Sequence, residues 1–153
     1  MPADRLAVHD LVARAFGGHD EARLADALRT AGDAVISMVA DDGGSIIGHV
    51  MLSKLVEPGG MLALAPVSVD PARQGMSVGS ALIEAALAQA REDDWGAVFV
   101  LGEPDYYGRF GFALEAAEPF SSPYPPAYMM ALELRPGALS GKTGALVYPS
   151  AFG

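Results

Sequence analysis

Hydrophobic positions change their period repeatedly along this chain, and each change marks an element. Val8, Leu11, Val12, Ala15 and Phe16 recur at helical spacing, so residues from about Asp4 to Phe16 are predicted as an amphipathic helix closed by Gly17-Gly18. A short second helix is predicted from Asp20 to Arg29, burying Leu24, Ala25 and Leu28, with Gly32 beyond its end. The pattern then turns strand-like at Val35–Ala40 and Ser45–Leu52, separated by the hairpin signal Asp41-Asp-Gly-Gly44. Glu57-Pro-Gly-Gly60 marks another turn before a strand at Leu62–Val69.

Past Val69 the order changes. A short glycine-containing loop leads to a helix from Val78, whose buried stripe is Leu82, Ile83, Ala86, Leu87 and Ala90. Ala97-Val-Phe-Val-Leu101 is a continuous apolar run, as expected of a strand covered on both faces. Strand, helix and strand at this spacing imply a parallel, right-handed crossover. The expected fold is therefore α/β, a single domain over 1–153 with a mixed, mostly antiparallel sheet and helices on both faces. Glu118–Pro126 is too proline-rich for regular structure and is expected to be a long loop of the kind that borders sites. Ala127–Leu134 and Gly144–Tyr148 are strand candidates that would complete the sheet.

Composition narrows the function classes. The net charge of -9 argues against a nucleic-acid partner, which needs a basic stripe, and mildly favours cationic substrates. The absence of cysteine excludes disulfides, thiolate metal sites and a cysteine nucleophile, and three scattered histidines make no metal site. His49, within a strand pattern, reads as a packed or edge histidine. The N-terminus has no signal-peptide core and no apolar run reaches the ~18–20 residues of a membrane span. A cytoplasmic protein without a membrane partner is the expectation.

The segment from Val69 to Val78 carries the chemistry. A loop there exposes main-chain N–H groups at the positive end of a helix, which suits a phosphate or pyrophosphate. Gly75-Met-Ser77-Val-Gly79 has the form of a hydrolase nucleophile elbow, but the required acid and histidine follow the serine in that fold, and His9, His19 and His49 all precede it. Gly141-Lys142-Thr143 resembles the end of a nucleotide P-loop. Its preceding glycine, Gly137, is one residue too close, and a β-type segment follows where a helix is required.

Gln74-Gly-Met-Ser77-Val-Gly79, continued by Ser80-Ala-Leu82, resembles the acetyl-CoA signature of the GNAT superfamily of N-acetyltransferases, Gln/Arg-x-x-Gly-x-Gly/Ala. Tyr107-Gly-Arg-Phe-Gly-Phe112 matches the tyrosine that family members carry a few residues before Gly-Phe, just after the fifth strand. The resemblance runs from the first helix to Phe152, and the wider stretch Val100–Phe112 is similar to a poorly characterised bacterial branch. The chain departs at Ser77, where glycine is usual and where a Cβ limits close approach and positive φ. It also departs at the front, where the family's first edge strand is expected to be missing or truncated.

The resemblance implies a GNAT-like fold and acetyl transfer from acetyl-CoA, without a metal, to a primary amine of a small molecule or protein. The pyrophosphate would lie against the N–H groups of Gly75, Met76, Ser77, Val78, Gly79 and Ser80, with Gln74 beside them. The pantetheine arm would pair with the backbone of Val67, Ser68 and Val69 where the fourth and fifth strands splay, and an N–H near Val69 would hold the carbonyl oxygen. Tyr107 is the candidate acid, because a phenol stays protonated at neutral pH. Glu103 is the first candidate base, with Asp70, Asp105 or a water chain as alternatives. Tyr106 reads as a packing or acceptor-lining residue, Arg109 as a contact to a CoA phosphate or, preferred, a solvated helix residue, and Tyr124 and Tyr128 as flanks of an acceptor pocket. Monomer and homodimer both remain open, and so does a non-catalytic acyl-CoA-binding sensor or partner module.

Overall fold

The computed structural model describes residues 20–70, 77–122, 126–149 and 152. The helix expected over 4–16, any edge strand before it, and the residues Gln74, Gly75, Met76 and Tyr124 lie outside the described residues. Helix α1 (Asp20–Ala31) leads into β1 (Ala34–Asp42), β2 (Ser45–Lys54) and β3 (Met61–Val69). Helix α2 (Val78–Glu92) and β4 (Ala97–Leu101) follow, then the short helices α3 (Pro104–Tyr107) and α4 (Leu114–Ala117). The chain closes with β5 (Phe120–Ser121), β6 (Met129–Glu133) and β7 (Gly144–Ala145). Among the described residues no helix is long and apolar enough to cross a membrane.

The main sheet has the order β1-β2-β3-β4-β6, with β3/β4 parallel and every other neighbouring pair antiparallel. The β1–β2 turn is held by the Gly44 N–H donating to Asp41 Oδ1 at 2.8 Å. Period-two alternation divides the core between the two faces. Leu62, Leu64, Val98 and Val100 pack under α2 against Leu82, Ile83, Ala86 and Leu87. Ala63, Phe99, Met129 and Ala131 face the other way, against Ala117 of α4 and Phe120. The α2 stripe is the one read from the sequence, and burying each Leu or Ile of it contributes about 1.5–3 kcal/mol.

The parallel pairing between β3 and β4 covers only Met61–Ala63 against Ala97–Phe99. Beyond it the strands part. β3 continues to Val69, paired on its other edge to β2 through His49↔Ser68 and Gly48↔Val69, while Val100 and Leu101 of β4 pair only with β6. A register shift between Val50 and Leu52 marks a bulge in the β2–β3 ladder, the kind of irregularity that bends a strand away from its neighbour. The sheet therefore opens between β3 and β4, at the end where α2 begins.

The segment 144–148 does not complete the main sheet. Only Gly144–Ala145 is strand, and it pairs in parallel with β5 in a separate two-stranded sheet. The outer edge of β6 is already taken, since Ala113 and Ala131 exchange main-chain hydrogen bonds of 3.0 Å in both directions. β5 itself falls inside the stretch expected to lack regular structure.

Candidate active site

Helix α2 starts without a side-chain cap at Ser77. Its first intrahelical bond is Ala81 N–H to the Ser77 carbonyl at 3.1 Å, so the N–H groups of Val78, Gly79 and Ser80 precede the helical ladder. They lie at the positive end of the macrodipole, worth roughly half a unit charge. Ser77 is exposed and left-handed, with φ 61° and ψ 16°. The conformation that glycine adopts freely is thus adopted by serine, at a cost of about 1–2 kcal/mol. Part of that would be offset in a Ser77→Gly variant by glycine's greater chain entropy when unfolded. Ser77→Gly is therefore expected to raise unfolding stability by about 0.5–1 kcal/mol in urea titration; a loss of stability would show that the serine is held there by something other than the turn.

Facing this helix end is the tyrosine cluster after β4. Glu103 precedes α3 as its N-terminal cap residue, and its carbonyl accepts the N–H groups of Tyr106 at 3.1 Å and Tyr107 at 3.0 Å, while Pro104 occupies the first turn, where a missing N–H costs nothing. A 3-10 turn, Gly108–Phe110, continues the path. Gly111 then takes φ 99°, the left-handed value that turns the chain and delivers Phe112 into the core. That geometry explains the Gly-Phe pair of the motif.

Tyr106 and Tyr107 divide the two sides of this turn. The Tyr106 hydroxyl lies 3.5 Å from Ser80 Oγ, and a Cβ built on Gly79 would stand 3.3 Å from that hydroxyl and 3.4 Å from Val69 Cγ2. Arg109 Nη2 donates to Ser80 Oγ at 3.1 Å, with its guanidinium 4.7 Å from the centre of the Tyr106 ring. A cation and a hydroxyl are therefore placed at the N-terminus of α2. The sequence offered only a faint signal for this, the helical spacing of Tyr106 and Arg109, since Ser80 is 29 residues from Arg109.

The Tyr107 ring lies across Gly102, the residue after β4, where any Cβ would overlap it. It meets Tyr106 edge-on at 5.0 Å and Phe112 at 5.9 Å. Burial, and then the neighbouring Tyr106, push its pKa up to about 12. The phenol thus keeps its proton at neutral pH. Glu103 and Asp105 are exposed at the carboxyl end of β4. On β2, His49 is fully buried with Nε2 3.0 Å from Ser37 Oγ; burial, and then Arg29, lower its pKa to about 4, so it is neutral at pH 7.

The structure brings Val69, Val78, Gly79 and Ser80 together with Tyr106 and Arg109, and sets Tyr107 beside them. Val67 and Ser68 line up in β3 on the strand that borders the opening, with Ser68 buried opposite His49.

The model of the Acetyltransferase (GNAT) family matches residues 5–112. The uncharacterized N-acetyltransferase YhbS of Escherichia coli K12 is 32% identical over 158 residues, covering 99% of this chain and 95% of that protein. The crystal structure of Escherichia coli YhbS in complex with CoA superposes with a TM-score of 0.92 at 31% identity, covering 99% of this chain and 88% of that one. A GNAT family acetyltransferase from Brucella melitensis in complex with acetyl-CoA gives a TM-score of 0.85 at 32% identity, covering 100% and 94%.

Proposed function

The chain belongs to the acetyltransferase (GNAT) family, and we propose that it transfers an acetyl group from acetyl-CoA to a primary amine by direct attack in a ternary complex. The single observation that carries this reading is the end of β3–β4 pairing at Ala63 and Phe99, beyond which β3 runs on alone on that edge to Val69, beside the uncapped start of α2. An extended amide chain fits the opening, and a diphosphate fits the helix end beneath it. The N–H groups of Val78, Gly79 and Ser80 at the helix start and the Arg109 guanidinium beside Ser80 suit that anion, in a protein whose net charge of -9 would otherwise repel it.

Acetyl-CoA, when bound, supplies an acyl group activated as a thioester. Val78, Gly79 and Ser80 would hold its diphosphate, together with the sequence candidates Gln74, Gly75, Met76 and Ser77. The main chain of Val67, Ser68 and Val69 would align the arm, and an N–H near Val69 would face the carbonyl oxygen as it gains negative charge. Tyr107 would hold the proton destined for the leaving sulfur. The amine must arrive neutral, so its proton passes to Glu103 or to water. Glu103 is exposed at the carboxyl end of β4; the rival reading is a non-catalytic acyl-CoA-binding module.

Acetyl-CoA at about 100 times its dissociation constant is expected to add about 2.7 kcal/mol of stability. Thiol release should then depend on added amine. An unmoved Tm with acetyl-CoA, alongside a rise with a flavin or an adenine nucleotide, would overturn the cofactor assignment; a raised Tm without thiol release for any amine would favour the binding module.

A further inference from the structure

A cavity of about 400 Å³ lies against the start of β6, on the sheet face opposite α2. Its floor is apolar: Ala117, Phe120 and Met129 are all buried. The floor is also firmly set, with the Phe120 ring edge-on to Phe99 at 5.2 Å and the Tyr148 hydroxyl 3.6 Å from Met129 Sδ. Pro126 forms a wall, and the exposed Glu115 and Glu118 stand at the rim. Among the described residues no lysine or arginine lines the cavity, and neither carboxylate has a cationic partner.

The cavity is joined to the acid through the sheet, whose other face carries the Tyr107 ring. Met129 is in register with Leu101, the last residue of β4. The carbonyl of the adjacent Tyr128 accepts the Gly102 N–H at 2.9 Å, and Gly102 carries the Tyr107 ring. With the α2 side of the sheet assigned to the diphosphate, the opposite face, which holds this cavity, is left for a second reactant.

We propose that this cavity receives the acceptor, and that the acceptor is a cationic amine with a compact apolar body and no carboxylate; the assignment rests on the acetyl-transfer reading above. The apolar floor takes the body. Glu115 and Glu118 attract the ammonium as it enters and repel an amino acid's carboxylate, so they select by both attraction and exclusion.

The test uses 2-phenylethylamine and phenylalanine, which differ only by the carboxylate, on the full chain loaded with CoA for calorimetry and with acetyl-CoA for turnover. 2-Phenylethylamine is expected to bind and to show a kcat/KM at least tenfold above phenylalanine. The gap should close in Glu115→Gln/Glu118→Gln, whose positions are exposed and whose Tm should match wild type. Equal use of the two compounds, a gap that survives the double substitution, or no amine binding while acetyl-CoA still raises Tm would overturn the cavity assignment alone. Failure of acetyl-CoA to raise Tm would instead overturn the acetyl-transfer reading, and amine calorimetry on the unloaded chain would still decide the cavity.

Discussion

Tyr107→Phe should lower turnover by about 100-fold or more while acetyl-CoA affinity stays within about twofold, because a positioned acid contributes to the rate and not to ground-state binding. The substitution removes one oxygen and keeps the ring that packs on Gly102 and Phe112. That oxygen makes no hydrogen bond among the described residues, so its loss should leave stability within about 0.5 kcal/mol of wild type. The pH dependence has a definite sign. With the pKa raised to about 12, the active protonated form persists through neutral and mildly alkaline pH, and Tyr107 should produce no alkaline loss of rate below about pH 11. An alkaline limb near pH 9 that vanishes in Tyr107→Phe would contradict the environment described for this residue. A variant as fast as wild type would remove Tyr107 from the mechanism.

Gly102→Ala should come close to the same loss of rate while leaving the phenol in place. A methyl group at residue 102 would overlap Tyr107 Cε2 and stand 2.6 Å from Cδ2. The ring has little room to retreat, with Tyr106, Phe110 and Phe112 around it. The expected result is a destabilisation of about 1–3 kcal/mol from overpacking, read by urea unfolding, and at least a tenfold fall in turnover from a displaced acid. Since both changes act on one group, the double variant with Tyr107→Phe should lose little more rate than Tyr107→Phe alone. Fully additive losses would mean that Gly102 matters for some reason other than seating the ring.

The sequence was most legible where one element carries its own pattern. The α2 stripe, the β1–β2 hairpin and the run Ala97–Leu101 fell where periodicity and turn residues put them. It was least legible where tertiary contacts decide. β5 and β7 are two residues each, too short for any period, and β7 is kept out of the main sheet by the Ala113–Ala131 pairing. For Arg109 the solvated-helix reading was preferred over a phosphate contact because nothing local announces Ser80 as its partner. Nothing in the sequence marks Gly102 as the seat of the Tyr107 ring, a contact that only the fold creates. Ser77 showed the reverse case: the expected conflict between a Cβ and positive φ is present, and the backbone takes the glycine conformation regardless. The family resemblance, by contrast, was fully visible in Gln74–Leu82 and Tyr107–Phe112, and the match over residues 5–112 bears it out.

Amide hydrogen exchange with and without saturating acetyl-CoA tests the central claim most directly. The diphosphate is assigned to the start of α2 and the arm to the strand edge beside it, so slowed exchange should concentrate at residues 67–69 and 78–80, with β1 and the far end of β4 unchanged. Unaltered exchange at both segments, with protection appearing elsewhere, would contradict the account.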